Sequence, residues 1–142
     1  KYSSKSRERS RGEKSYAIDV AFMDKRDNAF SGDNLGWRLE TIVYLELLRR
    51  KATTDNDIYY FKSRNAEADF VVCDKNKTLA VYQVSYDVSS EKTRKREIKG
   101  CIAGAKGTKC DNVFLITDHE SGIIEEQGYK IQVIPIWEWL VK

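Results

Sequence analysis

The stretch 67–85 limits more than any other what this chain can become. It reads EADFVVC, then a polar turn over 74–78, then LAVYQVS. Both arms are apolar and rich in Val, Tyr and Phe, the composition of strands covered on two faces. Glu67 and Asp69 interrupt the first arm, and Gln83 and Ser85 interrupt the second. Side chains alternate along a strand, so each pair is expected on one face. A turn centred on Asn76 sets Asp69 opposite Gln83 and Glu67 opposite Ser85. Polar groups would then converge on one spot of an apolar sheet, the pattern of a metal or phosphate site.

Around this hairpin the elements follow from periodicity and punctuation. Residues 16–23 (YAIDVAFM) read as a strand, and Gly32, Asp33 and Asn34 as turn and cap residues. Residues 35–51 form the strongest helix, closed by Arg49, Arg50 and Lys51 as the helix dipole favours. Within it Glu40 shares a face with Val43, Tyr44 and Leu47, with Trp37 beside them. A carboxylate in an apolar stripe calls for a partner. That partner is either a tyrosine or an ion pair, or Glu40 is a third acid aimed at the hairpin site.

Residues 57–63 (DIYYFKS) read as a strand entering the hairpin through Arg64, Asn65 and Ala66. After a loop, Ser89 or Ser90 caps a helix running to about Lys106. Its first half carries Lys92, Arg94, Lys95, Arg96 and Lys99, while Ile98, Cys101, Ile102 and Ala105 are its sheet contacts. The basic run is either an ordinary solvated face or a phosphate-binding edge beside the acidic site. Strands are expected at 111–117 and 129–136. Ile123 and Ile124 form a short helix or strand, and 137–141 a closing helical turn whose Trp137, Trp139 and Leu140 plug the core. His119 sits in a turn and is expected to be exposed.

Composition narrows the class. With 142 residues, 41% hydrophobic and 33% charged, the chain suits one domain with a real core. We divide it into residues 1–15, a basic arm or the tail of a preceding domain, and an α/β domain over 16–142. Among serines the arm holds Lys1, Lys5, Arg7, Arg9, Arg11 and Lys14, diluted by Glu8 and Glu13, and reads as solvated rather than as a nucleic-acid strip. A net charge of +3 permits a nucleic-acid partner without requiring one. Cys73, Cys101 and Cys110 are odd in number and lack a CxxC pair, which argues for buried thiols in a reducing, cytoplasmic setting. No apolar run suits a membrane span. No Walker loop, GxGxxG or Ser/His/Asp set is present. The start at Lys1 suggests a piece of a longer protein.

The order from residue 35 is helix, strand, strand, strand, helix, strand. With Glu40, Asp69 and the Gln83/Ser85 pair placed on it, this resembles the PD-(D/E)XK nuclease superfamily. More narrowly, YAIDVAF, NLGWRLETIVYLELLRRK, EADFVV, YQVSYDVSSEKTRKREI and NVFLIT resemble the C-terminal nuclease-like domain, of unknown function, of prokaryotic AAA-type P-loop ATPases. The resemblance implies a restriction-endonuclease-like core (α-β-β-β-α-β), a mixed central sheet flanked by helices. It also implies a preceding ATPase module, where ATP would bind, and a winged-helix segment.

Carried over, Glu40, Asp69 and Gln83 fall on the superfamily's metal-side positions, for Mg²⁺ or Mn²⁺, and Ser85 falls where its catalytic lysine belongs. Serine brings no positive charge, and neutral Gln83 weakens a hard-cation site. Lys62, Arg94, Lys95 or Arg96 could substitute by migration. Three readings follow. The first is a module with reduced catalysis that serves its own ATPase by binding DNA or a partner, with Arg94, Lys95, Arg96 and Lys99 as the nucleic-acid contacts. The second is an active metal-dependent endonuclease with a relocated cation. The third is a protein-interaction domain.

Overall fold

The structure is a computed structural model that describes residues 2–4 and 33–142, with side chains from residue 35. The strand expected at 16–23, the loop after it and most of the basic arm lie outside the described residues. One part of the arm is described: residues 2–4 form a strand.

In chain order the elements are β1 (Tyr2–Ser4), α1 (Asp33–Lys51), β2 (Asp57–Lys62), β3 (Glu67–Asp74), β4 (Lys77–Val84), α2 (Glu91–Thr108), β5 (Val113–Thr117), β6 (Gly122–Glu126), β7 (Tyr129–Pro135) and α3 (Ile136–Val141). The strands make one mixed sheet in the order β1-β2-β3-β4-β5-β7-β6. Strands β2 to β4 run as an antiparallel meander, and β1 pairs antiparallel to β2 at the edge. The pairs β4–β5 and β5–β7 are parallel, and β6 closes the far edge antiparallel to β7. The parallel step from β4 to β5 needs a crossover, and α2 supplies it.

The sheet is buried on both faces, as the apolar arms of the hairpin require. On one face α2 packs through Cys101, Ile102 and Ala105 onto Val71, Val81, Val113 and Leu115. On the other, α1 brings Leu39, Val43 and Leu47 to Phe70, Tyr82, Val84 and Ile116, and α3 adds Trp139. Helix α2 lies unusually close to the strands. A Cβ on Gly100 would stand 2.5 Å from the Glu67 carbonyl oxygen, and one on Gly104 would stand 2.8 Å from Val81 Cγ1. Both positions exclude a side chain, and their glycines set the height of the helix above the sheet.

The end of α1 is tied down by more than its dipole. Glu46 holds Arg49 and Arg50 at 2.7 Å each. Arg50 also donates to the Trp139 carbonyl at 2.8 Å and lies 4.2 Å above the Trp139 ring. All three cysteines are free and buried. Burial pushes the Cys101 thiol far above its ordinary pKa. His119 is exposed, as expected.

The terminal helix departs from expectation. Trp139 is buried, but Trp137 is 64% exposed, and Leu140 is exposed too. A single turn of helix turns only one side toward α1 and the sheet, so three neighbouring apolar residues do not all reach the core. Trp37 in α1, placed beside the apolar stripe, is likewise exposed at 40%. Among the described residues no helix is long and apolar enough to cross a membrane.

Candidate phosphate-binding cleft and the Asp69–Gln83–Glu97 chain

The body of the hairpin has the expected phase, with Phe70 opposite Tyr82 and Val72 opposite Ala80. The turn itself is tighter than expected. Asp74 pairs with Lys77, Lys75 takes a left-handed φ of 51°, and a one-residue irregularity between Val72 and Cys73 restores the phase. Beyond Phe70 the β3–β4 backbone ladder stops. The Asp69 N–H donates to Gln83 Oε1 at 3.2 Å, and the Val84 N–H donates to Asp69 Oδ2 at 2.9 Å. Side chains therefore replace the ladder bonds where the strands part, so that the buried backbone donors stay satisfied.

Strict alternation fails at the same place. Ala68 and Val71 both lie in the cluster beneath α2, so one residue of phase is lost across Asp69. The neighbouring β2–β3 register also shifts, between Tyr59 and Phe61. Glu67 consequently does not stand opposite Ser85. It pairs with Lys62 across β2–β3 and is exposed. Ser85 follows β4 directly. Its N–H donates to the Ile116 carbonyl and its hydroxyl to the Asp87 carbonyl at 3.2 Å. The expected Asp69–Gln83 meeting is present, and the expected Glu67–Ser85 meeting is not.

Sequence reasoning missed Glu97. It is only 4% exposed and sits on the inner face of α2, one turn before Cys101. Gln83 Nε2 donates to Glu97 Oε2 at 2.6 Å. Arg96 closes on the other oxygen, with Nε at 2.9 Å and Nη2 at 2.5 Å. The result is one connected chain from Arg96 through Glu97 and Gln83 to the Asp69 backbone, and from the Asp69 carboxylate to the Val84 backbone. The signal was available: Glu97, Cys101 and Ala105 recur at four-residue spacing, which puts Glu97 in the buried row.

Glu40 is half-buried on α1, the helix that covers the face opposite α2. Among the described residues no three of His, Cys, Asp and Glu gather as a metal-holding group. Asp69 Oδ2 and Gln83 Oε1 each accept a backbone N–H group.

Beside the chain opens a cleft of about 540 Å³. Gln83 and Gly100 form its inner wall. Lys62 and Arg64 come from the β2 side, and Lys95, Arg96 and Lys99 from α2. The turn at 63–66 makes the opposite wall. It is pinned by Ser63, whose N–H and hydroxyl both reach the Ala66 carbonyl at 2.8 Å. Glu67 is the one acidic residue lining the cleft. Arg94 is exposed but is not among the lining residues. Lys95 is paired with Glu91 at 2.5 Å in the open, an exposed contact weak enough to exchange for an anion. The five lining cations come from two walls that face each other, so their fields add across the gap.

Comparison with known proteins adds kinship. The chain is 36% identical over 112 residues to the uncharacterized protein MJ1544 of Methanocaldococcus jannaschii, an alignment covering 75% of this chain and 25% of that protein. The match thus spans about a quarter of the archaeal relative. The family model "Domain of unknown function (DUF4143)" matches residues 35–139, which takes in both helices of the core, the hairpin and the cleft. The chain belongs to the DUF4143 family.

Proposed function

We propose that this chain is a nuclease-like module of a larger ATPase that binds nucleic-acid phosphates in the basic cleft, with catalysis reduced or lost. The observation that carries the reading is the coexistence of two things at one place. Cations from β2 and α2 converge on the cleft, while the polar residues behind it are consumed by internal bonds. Phosphate oxygens favour charge-assisted bonds from such Lys and Arg groups.

The chemistry expected of a working nuclease has little support here. Gln83 stands where a charged metal ligand would be most useful, and Glu97 lies 2.6 Å from its amide nitrogen. A glutamate at 83 would face that carboxylate directly, so amide and acid form a matched pair. Ser85 supplies no charge, and its hydroxyl is held by Asp87. The ATPase context rests on the sequence resemblance. The archaeal relative's greater length is compatible with it, because three quarters of that protein lies outside the match.

A second reading keeps catalysis. Lys62, Lys95 and Arg96 line the same cleft as Gln83, so a relocated cation is within the cleft's own walls. One experiment separates the two. The chain is incubated with supercoiled plasmid and Mg²⁺ or Mn²⁺, and its binding to labelled DNA is measured in parallel. Binding without cleavage is expected. Metal-dependent cleavage that Asp69→Ala abolishes would establish the second reading, and absence of binding at low salt would remove both in favour of a protein-interaction domain.

A further inference from the structure

The cleft does not end at α2's first basic turn. A second hollow of about 400 Å³ adjoins it. Ser63, Asn65, Ala66, Lys95 and Lys99 line both, so the two are compartments of one trough between the 63–66 turn and α2. Their linings differ. The first compartment is cationic, with Lys62, Arg64 and Arg96 around Gln83. The second has an apolar floor of Ile98, Ile102 and Ala103 with Lys95, Lys99 and Lys106 around it, and one acid, Glu126, in its lining. Lys106 reaches Gln127 at 2.7 Å and marks the far end.

Resting on the phosphate-binding reading above, we infer that the trough takes a single strand of nucleic acid rather than a duplex. Charge complementarity selects a polyanion, because the lining carries Lys62, Arg64, Lys95, Arg96, Lys99 and Lys106 against two acids, Glu67 and Glu126. The floor selects the form. A duplex stacks its base faces on one another and offers a surface only backbone and the polar base edges of its grooves. An unpaired strand brings base faces that gain from leaving water against an apolar floor. The walls point the same way. A helix that reads a duplex groove projects from its domain, whereas α2 is drawn down onto the sheet at Gly100 and Gly104 and is flanked by the 63–66 turn. Each hollow falls in the range of roughly 300–1,000 Å³ that encloses a ligand of some tens of atoms, the scale of one nucleotide.

The test is fluorescence anisotropy with three labelled 12-mers of one sequence: single-stranded DNA, single-stranded RNA and duplex DNA. The chain should bind at least one of the single strands about tenfold more tightly than the duplex. The two strand arms tell DNA from RNA. Lys106→Glu, at an exposed position outside the first compartment, should weaken strand binding several-fold and duplex binding less. Ala103→Asp, which charges the floor, should do the same. Lys106→Glu keeps the test valid if Ala103→Asp does not fold. Duplex binding equal to or tighter than strand binding overturns the inference and leaves phosphate binding standing. Loss of all binding in the unmodified chain overturns both.

Discussion

Gly100→Ala offers a test of how α2 is seated. The added methyl would lie 2.5 Å from the Glu67 carbonyl oxygen and 3.2 Å from Gln83 Oε1. Carbon and oxygen in ordinary contact sit farther apart, and a backbone carbonyl in a sheet has little room to give. The helix must rise or the strand end must yield by several tenths of an ångström. Overpacking of this kind costs about 1–3 kcal/mol. Lifting α2 also lengthens the 2.6 Å bond from Gln83 to Glu97, a hydrogen bond to a charged group worth about 1.5–3 kcal/mol. Against this stands the helix preference for alanine over glycine, about 1 kcal/mol.

A lengthened bond loses only part of its worth, about 1 kcal/mol, so the expected sum is a net loss of about 1–3 kcal/mol, or a few degrees to roughly ten in Tm for a domain of this size. Gly36→Ala is the control. It lies in α1 with nothing within 4 Å of the added carbon among the described residues, so the preference term acts and the chain should gain about 0.5–1 kcal/mol. Urea unfolding at constant m-value reads both. A Gly100→Ala protein as stable as Gly36→Ala would refute the close approach of α2 to Glu67.

Other consequences are open to direct measurement. Gln83→Glu sets two carboxylates at the 2.6 Å contact with Glu97, which raises the folded pKa of the pair. The variant should be near parental stability below about pH 4 and should lose stability as pH rises toward 7, a trend that pH-dependent urea unfolding would reveal or exclude. Arg50→Ala removes the bond to the Trp139 carbonyl and the contact with its ring, and should cost about 1–2 kcal/mol in thermal unfolding. Burial raises the Cys101 and Cys73 thiols, so their contribution is complete below the free-thiol value of about 8.5 and falls as pH climbs past it. Stability should decline in alkali. A thiol reagent should label the folded chain slowly and label three cysteines quickly in denaturant; fast labelling of the native chain would contradict the burial.

What could be seen in the sequence was what depends on local pattern. The hairpin arms, their central register, α1 and α2 and the order of elements all follow from apolar periodicity and turn residues, and the structure has them. The meeting of Asp69 with Gln83 was legible because it needs only a strand register. The position of Glu67 was not, because the phase slip at Asp69 arises where side chains replace a ladder, and no residue pattern announces that. Glu97 was hidden by its neighbours: in RKREIK the basic side chains are so prominent that the acid looks like a diluent. Its burial is set by the helix row it shares with Cys101. The exposure of Trp137 depends on how a six-residue helix docks against α1, which is a tertiary fact.

The most direct measurement is the salt dependence of nucleic-acid binding by the unmodified chain and by the triple variant Lys62→Ala, Lys95→Ala, Lys99→Ala. Each phosphate released from a cleft lysine removes about 0.7 from the slope of log K against log salt for a single strand, and about 0.9 for a duplex. If the cleft holds the backbone, the variant's slope is shallower by about 2, with the fold intact by circular dichroism. An unchanged slope with unchanged affinity would mean that the cleft binds no phosphate.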